Sequence, residues 1–306
     1  MDNLKYPYYK LIYNLKKKRI LLIVNNFTPK IINRITSEFK KYSHKLEKYD
    51  NNYIIIKDNW YDNYELNCIT DYFSESVRIT CKFGSYDSPL NYWTKNKKDI
   101  LNNETSIIKI RDIIYRNNKL CNNFRISVSL AILKIFKPTK WLDISAGWGD
   151  RLLSAIFYNI DLYFSVDPNT KLHKCYNKII DTFVSEQNKK KFIILNEGFE
   201  TAVIPYYDFD IVFSSPPFFD LEKYSDNKKD SLTRYNSEVE WTNKFLMISI
   251  YKCIKHLKVN GHLILYIGGS KYTMMQVFKL HKIMKYKGII YFYDDKMRAV
   301  YVWQKI

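Results

Sequence analysis

The second half of the chain alternates short apolar runs with helical patterns, and this alternation constrains the fold most. Residues 141–144 are an apolar run that leads into a glycine-containing turn at 145–149, and residues 151–156 have helical spacing. Further strand-like runs lie at 162–166, 192–195, 210–213, 262–267, 289–293 and 299–303, with helical patterns at 171–184, 241–257 and 273–284. This alternation predicts a parallel sheet with helices on both faces. The short connection between the last two runs predicts an antiparallel hairpin.

The first half of the chain is less regular and more basic. Strand-like runs occur at 20–24, 53–56 and 77–83, and helical patterns at 31–42 and 106–116. The first 50 residues contain twelve Lys or Arg against four Asp or Glu. We therefore predict two domains. A smaller basic α+β domain over residues 1–120 is a candidate for target recognition, and an α/β domain over residues 121–306 carries the sheet.

The surplus of basic residues has two explanations. The chain has 49 Lys and Arg against 31 Asp and Glu, a formal net charge of +18. Such a surplus favours nucleic acid as a partner, because Lys and Arg neutralise phosphates and release their counterions. The same abundance of Lys, together with 27 Tyr, is also what the codons of an AT-rich genome produce. Composition alone leaves both explanations open.

Cysteine usage and hydropathy disfavour several classes of protein. The five cysteines form no C-x-x-C pair and are odd in number, which favours a reducing compartment. His173 and Cys175 are two potential ligands where a zinc site needs four, so we expect no metal. The longest apolar runs are far shorter than the roughly 20 residues that span a bilayer, and the first residues lack the pattern of a secretory signal. We expect a cytoplasmic protein without a membrane partner; its oligomeric state is not predicted.

Small residues follow the first strand-like run of the second half. Asp143 lies at the end of that run, and Ser145, Ala146, Gly147 and Gly149 form the turn into the helix. Where side chains are small or absent, a ligand can approach the backbone amides at the start of a helix. The turn is therefore a candidate binding site.

A carboxylate lies about 20 residues further on, where the next run ends in Asp167 and Pro168. At this position a carboxylate can accept hydrogen bonds from both hydroxyls of a ribose. Glycine in such a turn is weak evidence by itself, since sterics alone explain it, but glycine and the acid together predict a nucleoside cofactor. A dinucleotide is disfavoured, because Asp150 and Arg151 stand where a pyrophosphate site needs a third glycine.

These residues resemble the first motif of the class I S-adenosylmethionine-dependent methyltransferases, D-x-G-x-G-x-G. Asp143, Gly147 and Gly149 match the motif, and Ser145 replaces its first glycine. The resemblance implies a Rossmann-like seven-stranded methyltransferase sheet. It also implies S-adenosyl-L-methionine as the cofactor, with its ribose bound by Asp167.

The resemblance further implies contacts with the adenine of the cofactor after the third strand. Phe199 and Glu200 stand in that stretch, although the Gly-Asp pair usual in the family is missing. Phe199 is equally compatible with a position in the apolar core.

A pair of prolines follows the fourth strand-like run, in the sequence Ser215-Pro216-Pro217-Phe218. Two prolines fix the backbone and remove two amide donors, which leaves carbonyl groups as acceptors. The tetrapeptide resembles the (Asp/Asn/Ser)-Pro-Pro-(Tyr/Phe) motif of methyltransferases that modify exocyclic or amide nitrogens. The resemblance implies that the Ser215 side chain and the Pro216 carbonyl hold the amine and that Phe218 stacks on the base. The alternative is a rigid apolar strand exit without a chemical role.

Several targets remain open at this point. The cofactor motif precedes the Pro-Pro motif, an order common among the adenine-N6 enzymes of the family, whereas Ser-Pro-Pro is favoured by its cytosine-N4 enzymes. Giving more weight to the order, we predict methylation of adenine N6, in DNA ahead of RNA. Protein glutamine is a further alternative, because related enzymes with Asn-Pro-Pro-Tyr methylate that amide. A subunit that binds nucleic acid without catalysis is the rival from another class.

Two stretches of the second half also resemble methyltransferases of phages and large DNA viruses. They are the run from Ser215 to Tyr224 and the run from Ala146 to Arg151. This resemblance implies a viral protein in the cytoplasm of its host, which agrees with the AT-rich composition.

Overall fold

The computed structural model describes residues 6–7, 40–41, 52–56, 60–219, 221–225, 227–292 and 299–306. The strands are β1 (Lys40–Lys41), β2 (Asn52–Ile56), β3 (Lys82–Phe83), β4 (Lys140–Asp143), β5 (Leu162–Val166), β6 (Phe192–Leu195), β7 (Phe209–Ser214), β8 (Glu222–Lys223), β9 (Leu257–Tyr266), β10 (Lys285–Phe292) and β11 (Ala299–Gln304). The helices are α1 (Trp60–Arg78), α2 (Pro89–Asn103), α3 (Ile107–Asn117), α4 (Ile126–Phe136), α5 (Asp150–Tyr158), α6 (Thr170–Phe183), α7 (Ser231–Arg234), α8 (Glu238–Glu240), α9 (Met247–His256) and α10 (Lys271–Phe278). A π-helical segment, Trp241–Leu246, joins α8 to α9, and Glu186–Lys191 and Lys279–Lys282 are 3₁₀-helical.

Among the described residues, nine strands form one sheet in the order β1-β2-β10-β11-β9-β7-β4-β5-β6. Strands β9, β7, β4, β5 and β6 are parallel, and β11 is antiparallel to both β9 and β10. The seven strands from β10 to β6 in this order confirm the predicted Rossmann-like α/β sheet and the predicted hairpin. The chain leaves β4 towards β5 and β6 and then returns to β7 on the other side, so a crevice opens at the carboxyl ends of β4 and β7.

Alternate residues of the central strands face opposite sides of this sheet. Trp141, Phe213 and Ile264 belong to an apolar cluster on one face, together with buried residues of α4, α5 and α6. Leu142 and Val212 belong to a second cluster on the other face, together with buried residues of α9. Strands that are buried on both faces read as continuous apolar runs, which is why the sequence predicted them well.

The predicted strand at 77–83 is wrong. Helix α1 continues to Arg78, and only Lys82–Phe83 is a strand. Buried side chains of α1 recur at the three- and four-residue spacing of a helix and enter the cluster on the first sheet face: Leu66, Ile69, Phe73 and Val77. The β-branched Val77, Ile79 and Thr80, at and just after the end of α1, favour a strand locally, but the burial of this helical face decides the structure.

Other predictions for the first half had mixed outcomes. The helical pattern at 106–116 is confirmed as α3, and the strand-like run at 53–56 is confirmed as β2. The run at 20–24 and residues 31–39 lie outside the described residues, whereas residues 40–41, where a helix was predicted, form β1. Helix α2 was not predicted, although its Ser88 cap accepts the N–H of Asn91 at 3.2 Å.

Elements of the first half contact the sheet and its helices. Strand β2 pairs with β10 in parallel and extends the sheet at that edge. Helix α1 packs against α4, α5 and α6, and β3 pairs with β8 in a two-stranded ribbon. Helices α2 and α3 also share a smaller apolar cluster that contains Trp93 and Ile110. The domain boundary near residue 120 stays a prediction.

Among the described residues, no helix is both long enough and apolar enough to cross a bilayer.

Candidate functional site

A cavity of about 540 Å³ opens at the carboxyl ends of β4, β5 and β7. Ligands of open α/β sheets bind at this position, where the strand order reverses. The cavity wall contains these predicted site residues: Ser145, Gly147, Asp167, Pro168, Phe199, Ser215, Pro217 and Phe218. The predicted residues that do not line the cavity are Asp143, Ala146, Gly149, Glu200 and Pro216. The turn after β4 and the Pro-Pro loop after β7 therefore meet at the same cavity.

Asp143 lies beneath the turn and is fully buried. One of its oxygens accepts from Arg151 Nε at 2.7 Å and Tyr163 Oη at 2.8 Å. The other accepts from Ser214 Oγ at 2.7 Å and the Ser145 amide at 3.2 Å. These donors belong to α5, β5, β7 and the turn, so the carboxylate holds four segments together under the cavity. Its direct contact with a cofactor stays a prediction.

The two glycines of the turn meet different needs. Gly147 has a φ of +61°, a left-handed conformation that glycine adopts without strain. Its N–H donates to Asp167 Oδ2 at 3.0 Å, and its carbonyl accepts from the Tyr176 hydroxyl. A Cβ on Gly149 would lie 2.8 Å from Ile179 Cδ1. Gly149 thus allows α6 to pack closely, whereas Gly147 forms part of the cavity wall.

Asp167 follows β5 and is nearly fully buried. Its oxygens accept the N–H groups of Gly147 at 3.0 Å and Asn169 at 2.9 Å. Burial raises the pKa of Asp167 to about 7, although the hydrogen bonds from Asn169 and Gly147 lower it in part. Asp167 lines the cavity, so its carboxylate is placed where a ligand can donate to it.

Asn169 is a site residue that the sequence did not reveal. Its Oδ1 accepts the N–H of Lys171 at 3.2 Å and caps α6. The side chain is 4% exposed and lies in the cavity wall. Its buried Nδ2 has no hydrogen-bond partner within the part of the chain that the structure describes. An unpaired buried donor is costly, so this atom marks a place where a ligand can supply an acceptor.

The side chain of Lys252 is hydrogen-bonded to the loop that follows β6. Lys252 Nζ donates to the carbonyls of Phe199, Glu200 and Ala202 at 2.8–2.9 Å. Phe199 is 1% exposed, belongs to the apolar cluster of the second sheet face, and lines the cavity. The two positions proposed for Phe199, core and cavity wall, are therefore compatible.

The Glu200 carboxylate lies behind this loop. Its Oε1 accepts from Arg234 at 2.7 Å and from the Tyr235 hydroxyl at 3.2 Å. Its Oε2 is buried and has no hydrogen-bond partner among the described residues. A Cβ on Gly198, which lines the cavity, would lie 2.6 Å from this oxygen. Gly198 therefore lets the unpaired oxygen approach the wall.

A hydrogen bond joins the turn after β4 to the Pro-Pro loop after β7. The Ser145 hydroxyl donates to the Ser215 carbonyl at 3.0 Å. Ser215 itself is half-buried and lines the cavity. Pro216 is buried behind the wall, and Phe218 is half-buried within it. The Ser215 carbonyl is thus engaged within the chain, and the residue forms part of the cavity wall.

Aromatic rings surround the Phe218 side of the cavity. Tyr266 lies edge-on to Phe218, with centroids 6.1 Å apart, and edge-on to Phe124 at 5.3 Å. Trp148, in the turn after β4, lies edge-on to Tyr224 at 5.6 Å. All five side chains line the cavity. The local motif predicted Phe218, whereas Tyr266 and Phe124 come from distant parts of the sequence.

The first half of the chain contributes another part of the wall. Arg78 of α1 pairs with Asp71 at 2.7 Å, and Arg111 of α3 pairs with Glu75. The Tyr115 hydroxyl donates to Glu75 at 3.2 Å. A buried ionic network of this kind fixes the geometry of α1 against α3 more than it adds stability.

A second buried acid, Asp150, connects helices at the cavity. Thr70 of α1 donates to its Oδ1 at 2.7 Å, and the Phe124 N–H, just before α4, donates to its Oδ2 at 3.2 Å. Asp150 is itself the first residue of α5. Burial raises its pKa to about 7, against the lowering effect of the Thr70 hydrogen bond.

Within the described residues, no three His, Cys, Asp or Glu side chains are grouped so that they could hold a metal ion. The five cysteines are buried as free thiols.

Comparisons with known proteins concern the fold. No protein-family model and no curated protein matches the chain. Similar solved structures include TrmN from Thermus thermophilus, at 12% identity and a TM-score of 0.45 over 61% of this chain and 50% of TrmN. This chain therefore spans half the length of TrmN.

Two further structures match a similar share of the chain. A putative methyltransferase from Streptococcus mutans in complex with SAH has 10% identity and a TM-score of 0.42, over 60% of this chain and 99% of that protein. The tRNA (m1A58) methyltransferase TrmI from Aquifex aeolicus has 13% identity and a TM-score of 0.40, over 60% of this chain and 70% of TrmI. Similarity at this level assigns no activity, so the case for function rests on the site.

Proposed function

We propose that the chain is an S-adenosyl-L-methionine-dependent N-methyltransferase that acts on the exocyclic amine of a nucleic-acid base. Adenine N6 in DNA is the first candidate target. The observation that carries the proposal is the 3.0 Å hydrogen bond from the Ser145 hydroxyl to the Ser215 carbonyl. It ties a turn suited to a nucleoside cofactor to a loop suited to an amine, and methyl transfer needs this proximity between donor and acceptor.

The groups around the turn fit the nucleoside part of the cofactor. Asp167 offers carboxylate lone pairs to the ribose hydroxyls, and Asn169 Nδ2 is a buried donor without a partner in the described ranges. Glu200 Oε2 is a buried acceptor suited to the amino group of adenine, and Phe199 offers an apolar surface to its ring. When bound, S-adenosyl-L-methionine supplies an electrophilic methyl group on a sulfonium.

The Pro-Pro loop is suited to hold the amine on the other side of the cavity. The amine of a base is a poor nucleophile, because its lone pair is delocalised into the ring. In the proposal, the Ser215 hydroxyl and the Pro216 carbonyl accept its N–H groups, localise the lone pair and orient it. Phe218 stacks on the base, an interaction of about 1 to 3 kcal/mol.

The choice of adenine N6 in DNA rests on the order of the two motifs, and the choice of nucleic acid also rests on the net charge of +18. A base within a duplex must leave the stack to reach Phe218, and unstacking costs a few kcal/mol. RNA, cytosine N4 and protein glutamine are the competing targets that an experiment has to distinguish.

Transfer of a labelled methyl group to DNA, RNA and protein in parallel, followed by nucleoside analysis, tests the proposal. We expect label in N6-methyladenine released from DNA. Label in RNA or in N4-methylcytosine would replace the target but keep base N-methylation, whereas label confined to protein would contradict a nucleic-acid substrate. If S-adenosylhomocysteine binds and none of the three accepts label, the chain is a binding subunit without catalysis.

A further inference from the structure

Three exposed lysines lie next to the cavity wall. Lys82 of β3 and Lys223 of β8 are directly opposite each other in the two-stranded ribbon. Lys119 precedes Leu120 in the chain, Lys223 follows Glu222, and both Leu120 and Glu222 line the cavity. We define the basic rim as Lys82, Lys119 and Lys223. Opposed lysines repel each other, and a nearby phosphate lowers the energy of this pair.

The ribbon fastens the exit of the Pro-Pro loop to the first half of the chain. Strand β8 follows Phe218 after a short turn, and its pairing with β3 is extended by a 2.7 Å hydrogen bond from the Gly84 N–H to the Leu221 carbonyl. The basic rim therefore lies beside the loop proposed to hold the amine. The rim is thus next to the cavity in which the proposal places the target base.

Aromatic rings accompany the charge. Lys119 Nζ lies 5.2 Å from the centroid of the Tyr86 ring and 5.7 Å from that of Phe83. Tyr86 is 40% exposed, so part of its ring is open to solvent. A cation beside an exposed ring suits a single strand, because the cation meets a phosphate while the ring stacks on a base.

The acidic residues near the basic rim have partners of their own. Asp87 pairs with Lys95 at 2.6 Å. Glu222 accepts a hydrogen bond from the Tyr224 hydroxyl. Asp230 is buried and caps α7. Three lysine charges thus stand beside carboxylates that other groups hold in place.

We propose that the basic rim binds the phosphodiester backbone of a single-stranded segment next to the target base, and that Tyr86 stacks on a neighbouring base. The inference rests on the proposed function, since it takes nucleic acid as the substrate. It assigns strand binding to the ribbon beside the cavity, in addition to any contribution from the basic first 50 residues.

Binding of a single-stranded oligonucleotide, measured over a series of salt concentrations, tests the inference. The rim variant carries Lys82→Gln, Lys119→Gln and Lys223→Gln. The control variant carries Lys134→Gln, Lys137→Gln and Lys140→Gln. These three exposed lysines lie near the amino end of β4, whereas the cavity lies at its carboxyl end.

The two variants should differ in their response to salt. Each phosphate contact to a single strand contributes about 0.7 to the slope of log affinity against log salt, so we expect the rim variant to lose about 2 from this slope. The control variant should lose much less. Tyr86→Leu should weaken binding about tenfold at an unchanged slope, because stacking is not ionic.

Three results would overturn the rim inference, the proposed function or both. An equal loss of slope in the rim and control variants would overturn the inference, because the charge would then act without regard to position. Calorimetry with S-adenosylhomocysteine, which the rim variant should bind as the wild type does, separates this failure from failure of the proposed function. A wild-type chain that binds S-adenosylhomocysteine but no oligonucleotide would overturn both the rim and the nucleic-acid target. Oligonucleotide binding at the rim without any S-adenosylhomocysteine binding would overturn the methyltransferase alone.

Discussion

At the scale of single residues, the cavity is marked by polar atoms that the chain leaves unpaired. Asn169 Nδ2 and Glu200 Oε2 are buried without hydrogen-bond partners in the described ranges, and both belong to loops at the carboxyl ends of strands. Leaving such an atom unpaired costs about 1 to 3 kcal/mol. The donor lies in the cavity wall beside Asp167, where the proposal places the ribose, and the acceptor lies behind Gly198, on the side where the proposal places the adenine.

The substitution Asn169→Ser tests whether Asn169 Nδ2 donates to the bound cofactor. Serine keeps an oxygen that can cap α6 but lacks the amide donor. We expect the affinity for S-adenosylhomocysteine to fall about tenfold with little change in thermal stability, as measured by calorimetry and thermal unfolding. Asn169→Ala is the matched control, since it also removes the cap and should lower stability in addition. If Asn169→Ser bound the ligand as tightly as the wild type, Nδ2 would have no ligand to contact.

Motifs of local sequence predicted Gly147, Asp167 and Phe218 because each lies at a fixed position after a strand. They could not predict Asn169, since asparagine is an ordinary start for a helix. Tyr266 belongs to the same wall but is brought there by the sheet from a distant part of the chain. Sequence spacing thus reveals residues whose neighbours are local, and tertiary packing adds the others.

At the scale of elements, Asp150 connects α1 and α5 to the backbone that enters α4. Two donors hold its carboxyl group, but burial still raises its pKa to about 7. In an unfolded chain an aspartate has a pKa of about 3.9. The folded state therefore favours the protonated form of this group. Its contribution to the free energy of unfolding is present below about pH 4 and is lost as the pH rises through about 7.

The substitution Asp150→Asn tests this pH dependence. The variant cannot titrate at this position, so we expect the stability of the wild type relative to the variant to fall as the pH rises from about 5.5 to about 8. Thermal unfolding of both proteins over this range measures the difference. Burial also raises the pKa of Asp167 to about 7. Because Asp167 is present in both proteins, its contribution to the stability difference cancels. A stability difference that does not change with pH would mean that the pKa of Asp150 is not raised.

Elements were predictable where burial is regular along the chain. Strands β4, β5 and β7 and residues 262–266 of β9 are largely buried, and the sequence predicted them, whereas it did not predict the exposed first part of β9. Strands β3 and β8 are two residues each and depend on pairing between distant segments, so no local pattern indicates them. The end of α1 was predicted wrongly because Val77, Ile79 and Thr80 are β-branched, while its packing partners α4, α5 and α6 lie further along the chain.

At the scale of the whole molecule, the strand order explains why two motifs in separate loops form one site. Strands β4 and β7 are neighbours in the sheet although β5 and β6 lie between them in the chain. The loops that leave their carboxyl ends therefore meet, and the Ser145 to Ser215 hydrogen bond joins them. Helices α1 and α3 of the first half complete the wall with Asp71, Arg78 and Tyr115. The fold class was predictable from alternation, whereas this contribution of the first half was not.

The central claim is that the cavity has a cofactor side at Asp167 and an amine side at Phe218. Calorimetric titration of S-adenosylhomocysteine into the wild type, Asp167→Asn and Phe218→Ala tests it most directly. We expect one molecule bound per wild-type chain, affinity lowered about tenfold or more in Asp167→Asn, and affinity within about twofold of the wild type in Phe218→Ala, which should lose methyl transfer instead. Equal weakening in the two variants, or no binding by the wild type, would contradict the claim.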